Sequence, residues 1–179
     1  MIFKNTENHF GLIAILLHWI MTIMMIGLVV LGLIMVRMSI SVTKLQFYGW
    51  HKEWGMLALL FVIVRLTWRL RSINPSLDAI PQWEELAART VHSAFYFFMF
   101  ALPITGWLIT SSADLPVSFF GLLTLPNLIS SNEANRLLFS KIHEWLGYAL
   151  IVTFCMHTSA ALKHHFINKD NIMRRMLWP

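Results

Sequence analysis

Between Glu7 and Arg37 the chain carries no aspartate, glutamate, lysine or arginine. An apolar run of that length is long enough to cross a bilayer as a helix, which keeps every backbone polar group inside its own hydrogen bonds. The run is too long for a signal-peptide core and lacks a small-residue cleavage pattern after it, so it reads as a retained helix. Similar gaps in charge extend from Arg89 to Asp114 and over residues 145–162. Spans are therefore expected at roughly 11–36, 90–112 and 142–165. A fourth, at roughly 48–70, is less obvious. Its charge-free run is only Trp54 to Val64, followed by Arg65, Arg69 and Arg71. It crosses only if Arg65 lies in the membrane with a partner.

Composition supports this reading. Of 179 residues, 57% are hydrophobic and 13% charged, against roughly 25% charged in soluble domains. The expected fold class is all-α, an integral membrane four-helix bundle formed by one domain over residues 1–179. The single cysteine, Cys155, allows no internal disulfide. With a cytoplasmic N-terminus, nine positive residues fall inside (Lys4, Arg65, Arg69, Arg71, Arg89, Lys163, Lys169, Arg174, Arg175) and five outside (Arg37, Lys44, Lys52, Arg136, Lys141). That excess places both termini in the cytoplasm. The net charge of +5 is thus a topology signal and not a nucleic-acid footprint. The terminal "KDNIMRRM" reads as an anchor to anionic membrane lipid. The outer segment 113–141, with "LPVSFFGLLTLPNLIS", holds two prolines and Gly121, so it is expected to lie along the outer interface as a cap.

Two stretches, "WHKEWG" at residues 50–55 and "IHEWLG" at residues 142–147, share a His-x-x-x-Gly pattern. Ionisable or metal-capable groups inside a membrane are functional candidates. With the topology above, His51 and His143 begin two spans near the outer face, while His18 and His157 lie near the inner face. His143 and His157 are 14 residues apart, about 21 Å of rise along one side of a helix. One span therefore offers two ligands, one above the other. His51 partners the outer one and His18 the inner one. His92 also falls at the inner level, but it is expected to be shallower and not a ligand. His9, His164 and His165 lie outside the apolar core.

The glycines follow the same stripe. Gly55 and Gly147 sit one turn from His51 and His143, leaving backbone bare for something wide to approach. Gly32 and Gly106 follow His18 and His92 by 14 residues and bare those helices at the outer level. Gly27 is assigned to helix packing. The methionines Met21, Met24, Met25 and Met35 are assigned to packing and lipid contact.

Two imidazoles per level, on different helices and with no thiolate, do not suit zinc. They suit two haem b groups, each held by two trans imidazoles. Iron ligated in this way has no open site, so its work is electron transfer. Arg65 follows His51 by 14 residues and reaches the inner level, where it is expected to neutralise a propionate.

The chain resembles the bacterial cytochrome b561 family, through "LLHW", "WHKEWG", "FALPITGW", "FFGLLTLP" and "IHEWLGY…MHTSAALKHHFINKDNIMRRM". The cytochrome b subunits of formate dehydrogenases and hydrogenases are more distant relatives. The resemblance covers nearly the whole chain, without departure at the ligand positions. It implies a multi-pass protein of the bacterial inner membrane with two b haems. It pairs His51 with His143 and His18 with His157, as depth does independently. It also implies electron passage between an outer-side donor, which the residues do not name, and the quinone pool of a respiratory chain. The expected activity is that of an electron carrier or quinone oxidoreductase. The alternatives are a haem-bearing anchor subunit of a separate dehydrogenase and a haem-free proton-coupled transporter. A homodimer stays open.

Overall fold

The computed structural model describes residues 3–73, 75 and 81–178. Four long helices dominate: α1 (Leu12–Arg37), α2 (Val42–Arg71), α3 (Gln82–Ser112) and α4 (Glu133–Lys163). A two-stranded hairpin, β1 (Val117–Phe119) with β2 (Leu123–Leu125), separates α3 from α4. A π-helical turn, His164–Asn168, extends α4.

Local chemistry sets the helix ends. The Ser41 side chain accepts from the Lys44 amide at 3.2 Å, and Asn132 accepts from the Asn135 amide at 3.1 Å, capping α2 and α4. Acidic residues occupy the first turns of α3 and α4, and basic residues the last turns of α1, α2 and α4, as the helix dipole favours. The helices are longer than the charge-free runs suggest. α3 starts at Gln82 and α4 at Glu133, so the connection between α3 and α4 is residues 113–132 and not 113–141. The extra turns carry ordinary water-facing pairs, Arg89 with Glu85 and Arg136 with Glu133, which hydropathy does not register as helix.

Three helical stretches are long and apolar enough to cross a membrane: Leu12–Arg37, Gln82–Ser112 and Glu133–Asn168. α2, with its arginines, does not reach that apolarity. On α1 the outward stripe is Leu16, Ile20, Ile23, Val30 and Ile34, all exposed. This apolar face at helical spacing belongs against hydrocarbon.

Close backbone packing runs from α1 to α2, α2 to α3 and α3 to α4. One buried cluster joins Met21, Val62 and Met99 of three helices. A second joins Phe98 and Leu102 of α3 with Leu150 of α4. The hairpin folds back over the helix ends. Trp107 Nε1 donates to Pro126 O at 3.0 Å, the Leu128 amide donates to Ser111 Oγ at 3.0 Å, and the Phe120 ring packs edge-on against Trp54 of α2. At the opposite end, Trp19 Nε1 donates to Met176 O at 2.9 Å and Asn5 Nδ2 donates to Ile73 O at 2.8 Å. The two ends of the chain and the end of α2 thus share one side of the bundle.

Candidate functional site

Four histidines form two levels in the wider interval between α4 and the α1–α2 pair. His51 of α2 and His143 of α4 have ring centroids 6.1 Å apart. His18 of α1 and His157 of α4 have ring centroids 6.3 Å apart. Two imidazoles bound to opposite sides of one metal, each at about 2 Å, put their centroids roughly 6 Å apart. Both pairs meet that requirement. Among the described residues no group of three or more His, Cys, Asp or Glu side chains is arranged to hold one metal ion. Leu150, 4% exposed, stands on α4 midway between His143 and His157 and packs into the second apolar cluster. Hydrocarbon therefore separates the two levels.

At the level of His51 and His143, two glycines lie against the rings. A Cβ on Gly32 would stand 3.4 Å from His51 Cε1, and one on Gly106 would stand 3.5 Å from His143 Cε1. Thr105 then orients His143. Its Oγ1 lies 2.8 Å from Ala101 O, 2.9 Å from Leu102 O and 3.0 Å from His143 Nδ1. The single hydroxyl proton goes to a carbonyl, so Oγ1 accepts from Nδ1–H. That tautomer leaves the Nε2 lone pair of His143 free, as a metal ligand needs. The Nδ1 of His51 is buried and has no hydrogen-bond partner among the described residues.

The inner level is arranged differently. Arg65 Nη2 donates to His18 Nδ1 at 3.0 Å. Guanidinium only donates, so this contact puts the His18 proton on Nε2. For His18 to ligate through Nε2, Arg65 must exchange this bond for another acceptor. Arg69 stands over the Tyr96 ring at 5.7 Å. His92, expected to be too shallow, lies in the cluster: its centroid is 5.6 Å from that of His157. The physical reason is the early start of α3, which puts His92 nearly three turns inside the helix. Phe95 packs edge-on against His157 at 5.3 Å.

A Cβ on Gly55 or Gly147 would meet nothing within 4 Å, so both leave open space beside the helix. The same holds for Gly27, which corrects its assignment to helix packing. Gly27 instead lines a groove of about 260 Å³ with Ile23, Met24, Leu28, Leu31 and Trp54. Sequence reasoning missed Thr105 because its partner is 38 residues away. Threonines in membrane helices ordinarily bond back to their own turn, as Thr153 does to Ala149 O.

An apolar helical bundle with stacked imidazole pairs between its helices defines a membrane b-type cytochrome. The family model for prokaryotic cytochrome b561 matches residues 9–179, and the chain belongs to that family. It is 35% identical to cytochrome b561 homolog 2 of Escherichia coli (strain K12) over 187 residues, covering 99% of this chain and 95% of the relative. It is 31% identical to cytochrome b561 homolog 1 of the same organism over 188 residues, covering 95% of this chain and 97% of the relative. The family makes this a multi-pass membrane protein of electron transfer carrying b-type haem.

Proposed function

We propose that the chain holds two b haems, the outer between His51 and His143 and the inner between His18 and His157. It moves electrons between an outer-side donor and membrane quinone in the bacterial inner membrane, with both termini cytoplasmic. The carrying observation is the pair of imidazole couples at 6.1 and 6.3 Å on one helix register. When bound, such haem takes and gives single electrons without an open coordination site. The chain's residues supply the rest. Thr105 holds His143 in the ligating tautomer, Gly32 and Gly106 let the outer rings lie against the helices, and the open flanks of Gly55 and Gly147 admit a flat macrocycle. Arg65 serves as cationic partner for an inner propionate once it leaves His18.

The test is a pyridine haemochrome assay on the purified protein. Two haems per chain are expected, with one remaining in His143→Ala. A colourless protein overturns the reading. One haem in the wild type removes the second site.

A further inference from the structure

Below the inner histidines lies a second polar constellation that the haem sites do not use. Glu84, in the first turn of α3, has a side chain only 9% exposed. Its Oε1 accepts from Lys163 Nζ at 2.6 Å. Its Oε2 is buried without a hydrogen bond among the described residues and faces His164 Nε2 at 3.5 Å. The other ring nitrogen of His164, Nδ1, lies 2.6 Å from Asp170 Oδ2 and 3.2 Å from Asn168 Nδ2. The π-helical turn makes this possible. It ends in left-handed Lys169, with φ 55°, and turns Asp170 back onto His164.

Exposure falls inward along the row: 30% for Asp170, 11% for His164 and 9% for Glu84. Asp170 borders a cavity of about 280 Å³ with His165, Phe166, Lys169 and Arg174. His164 follows His157 by seven residues, about 10 Å of helix rise. The row therefore leads from water toward the inner imidazoles and stops about two turns short of them.

We infer that Asp170, His164 and Glu84 form a proton inlet serving the inner end of the electron path. An imidazole takes a proton at one ring nitrogen and releases one at the other. Nδ1 faces the wet carboxylate and Nε2 the buried one, and the 3.5 Å interval is closed by a small ring rotation. Lys163 holds Glu84 in place, while Trp83 packs against the Lys163 ammonium at 5.2 Å. The chemistry that needs such an inlet follows from the proposed function, on which this inference rests. Reducing a quinone to a quinol consumes two electrons and two protons. The electrons come from the outer donor through the chain, and the protons come from water on the side of Asp170.

The test uses the haem-loaded full chain, reduced and then oxidised by decyl-ubiquinone or by ferricyanide, which takes electrons without protons. Glu84→Gln and His164→Gln are expected to slow oxidation by the quinone at least tenfold. Haem content and the ferricyanide rate stay unchanged. Asp170→Asn, at the exposed end, keeps the packing and carries the same expectation. Equal slowing with both oxidants, or loss of haem from all three variants, makes the cluster a structural staple and overturns the inlet. A quinone rate within twofold of wild type overturns it as well. The pH dependence of the inner haem potential separates this from the quinone reading. If the wild type ignores quinone but Glu84→Gln flattens its pH dependence, the inlet stands and quinone falls. If the dependence persists in the variant, the inlet falls.

Discussion

Thr105 decides which nitrogen of His143 is free to bind. Thr105→Val keeps the shape and removes the acceptor, so the outer haem is expected to remain bound with an altered electron paramagnetic resonance signal and midpoint potential. Thr105→Ser restores both, because Ser keeps the hydroxyl. An unchanged signal in Thr105→Val leaves the threonine a packing residue. Arg65 acts at the inner level. A nearby positive charge favours the reduced, less positive iron, so Arg65→Leu is expected to lower the inner potential by tens of millivolts, roughly, for a charge in a partly screened site. Redox titration resolves a change of that size. His18 and His92 both stand beside His157, at 6.3 and 5.6 Å. His18→Ala is expected to remove the inner haem, while His92→Ala retains two. The reverse outcome in a haem assay moves the inner ligand from α1 to α3.

At the level of elements, the glycines at the outer histidines are selective in size. A Cβ at Gly106 reaches ordinary van der Waals contact with His143, 3.5 Å away, so Gly106→Ala is expected to keep haem content near wild type. Gly106→Leu pushes further atoms into the ring and is expected to lose the outer haem, leaving about half the absorbance per chain. Equal haem in both variants would show that α4 yields freely. The membrane helices α1, α3 and α4 were legible in the sequence because a bilayer rejects charge, and absence of charge is visible without any partner. Their ends were not, since the turns at Gln82 and Glu133 leave the apolar run and carry paired charges. The hairpin was hidden for another reason. Phe120 and Gly121 both take positive φ, 51° and 71°. Gly121 announces such a turn, whereas a phenylalanine does so rarely. Asp170, His164 and Glu84 escaped notice because 80 residues separate His164 from Glu84 along the chain.

For the whole molecule, the division of labour among the helices governs behaviour. α4 carries a histidine at both levels, α1 and α2 carry one each, and α3 supplies Thr105, Gly106 and His92. The apolar cluster of Leu150, Phe98 and Leu102 keeps the levels distinct. Both levels take a histidine from α4, so its displacement disturbs the two together; α1 and α2 each give a histidine to one level and a neighbour, Gly32 or Arg65, to the other.

The polarity of α2 has a consequence for how the protein is made. An arginine at the centre of a membrane helix costs about 2.5–3.5 kcal/mol on insertion and less toward its end; Arg65 lies less than two turns from the end of α2, has His18 of α1 as its partner, and is followed by Arg69 and Arg71. α2 is therefore a poor substrate for the translocon by itself and a good one once α1 is waiting in the lipid. Insertion is expected to proceed by hairpin, with α1 as chaperone for its neighbour. A glycosylation reporter fused after α2 alone should score mostly uninserted. The same reporter after α1–α2 should score inserted, and His18→Leu should reverse part of that gain. Equal insertion of α2 with and without α1 would show that the helix finds its place unaided. Biogenesis then shares its first contact with the proposed inner haem site: the bond that brings Arg65 into the membrane is the one that a haem held by His18, as proposed, must later take apart.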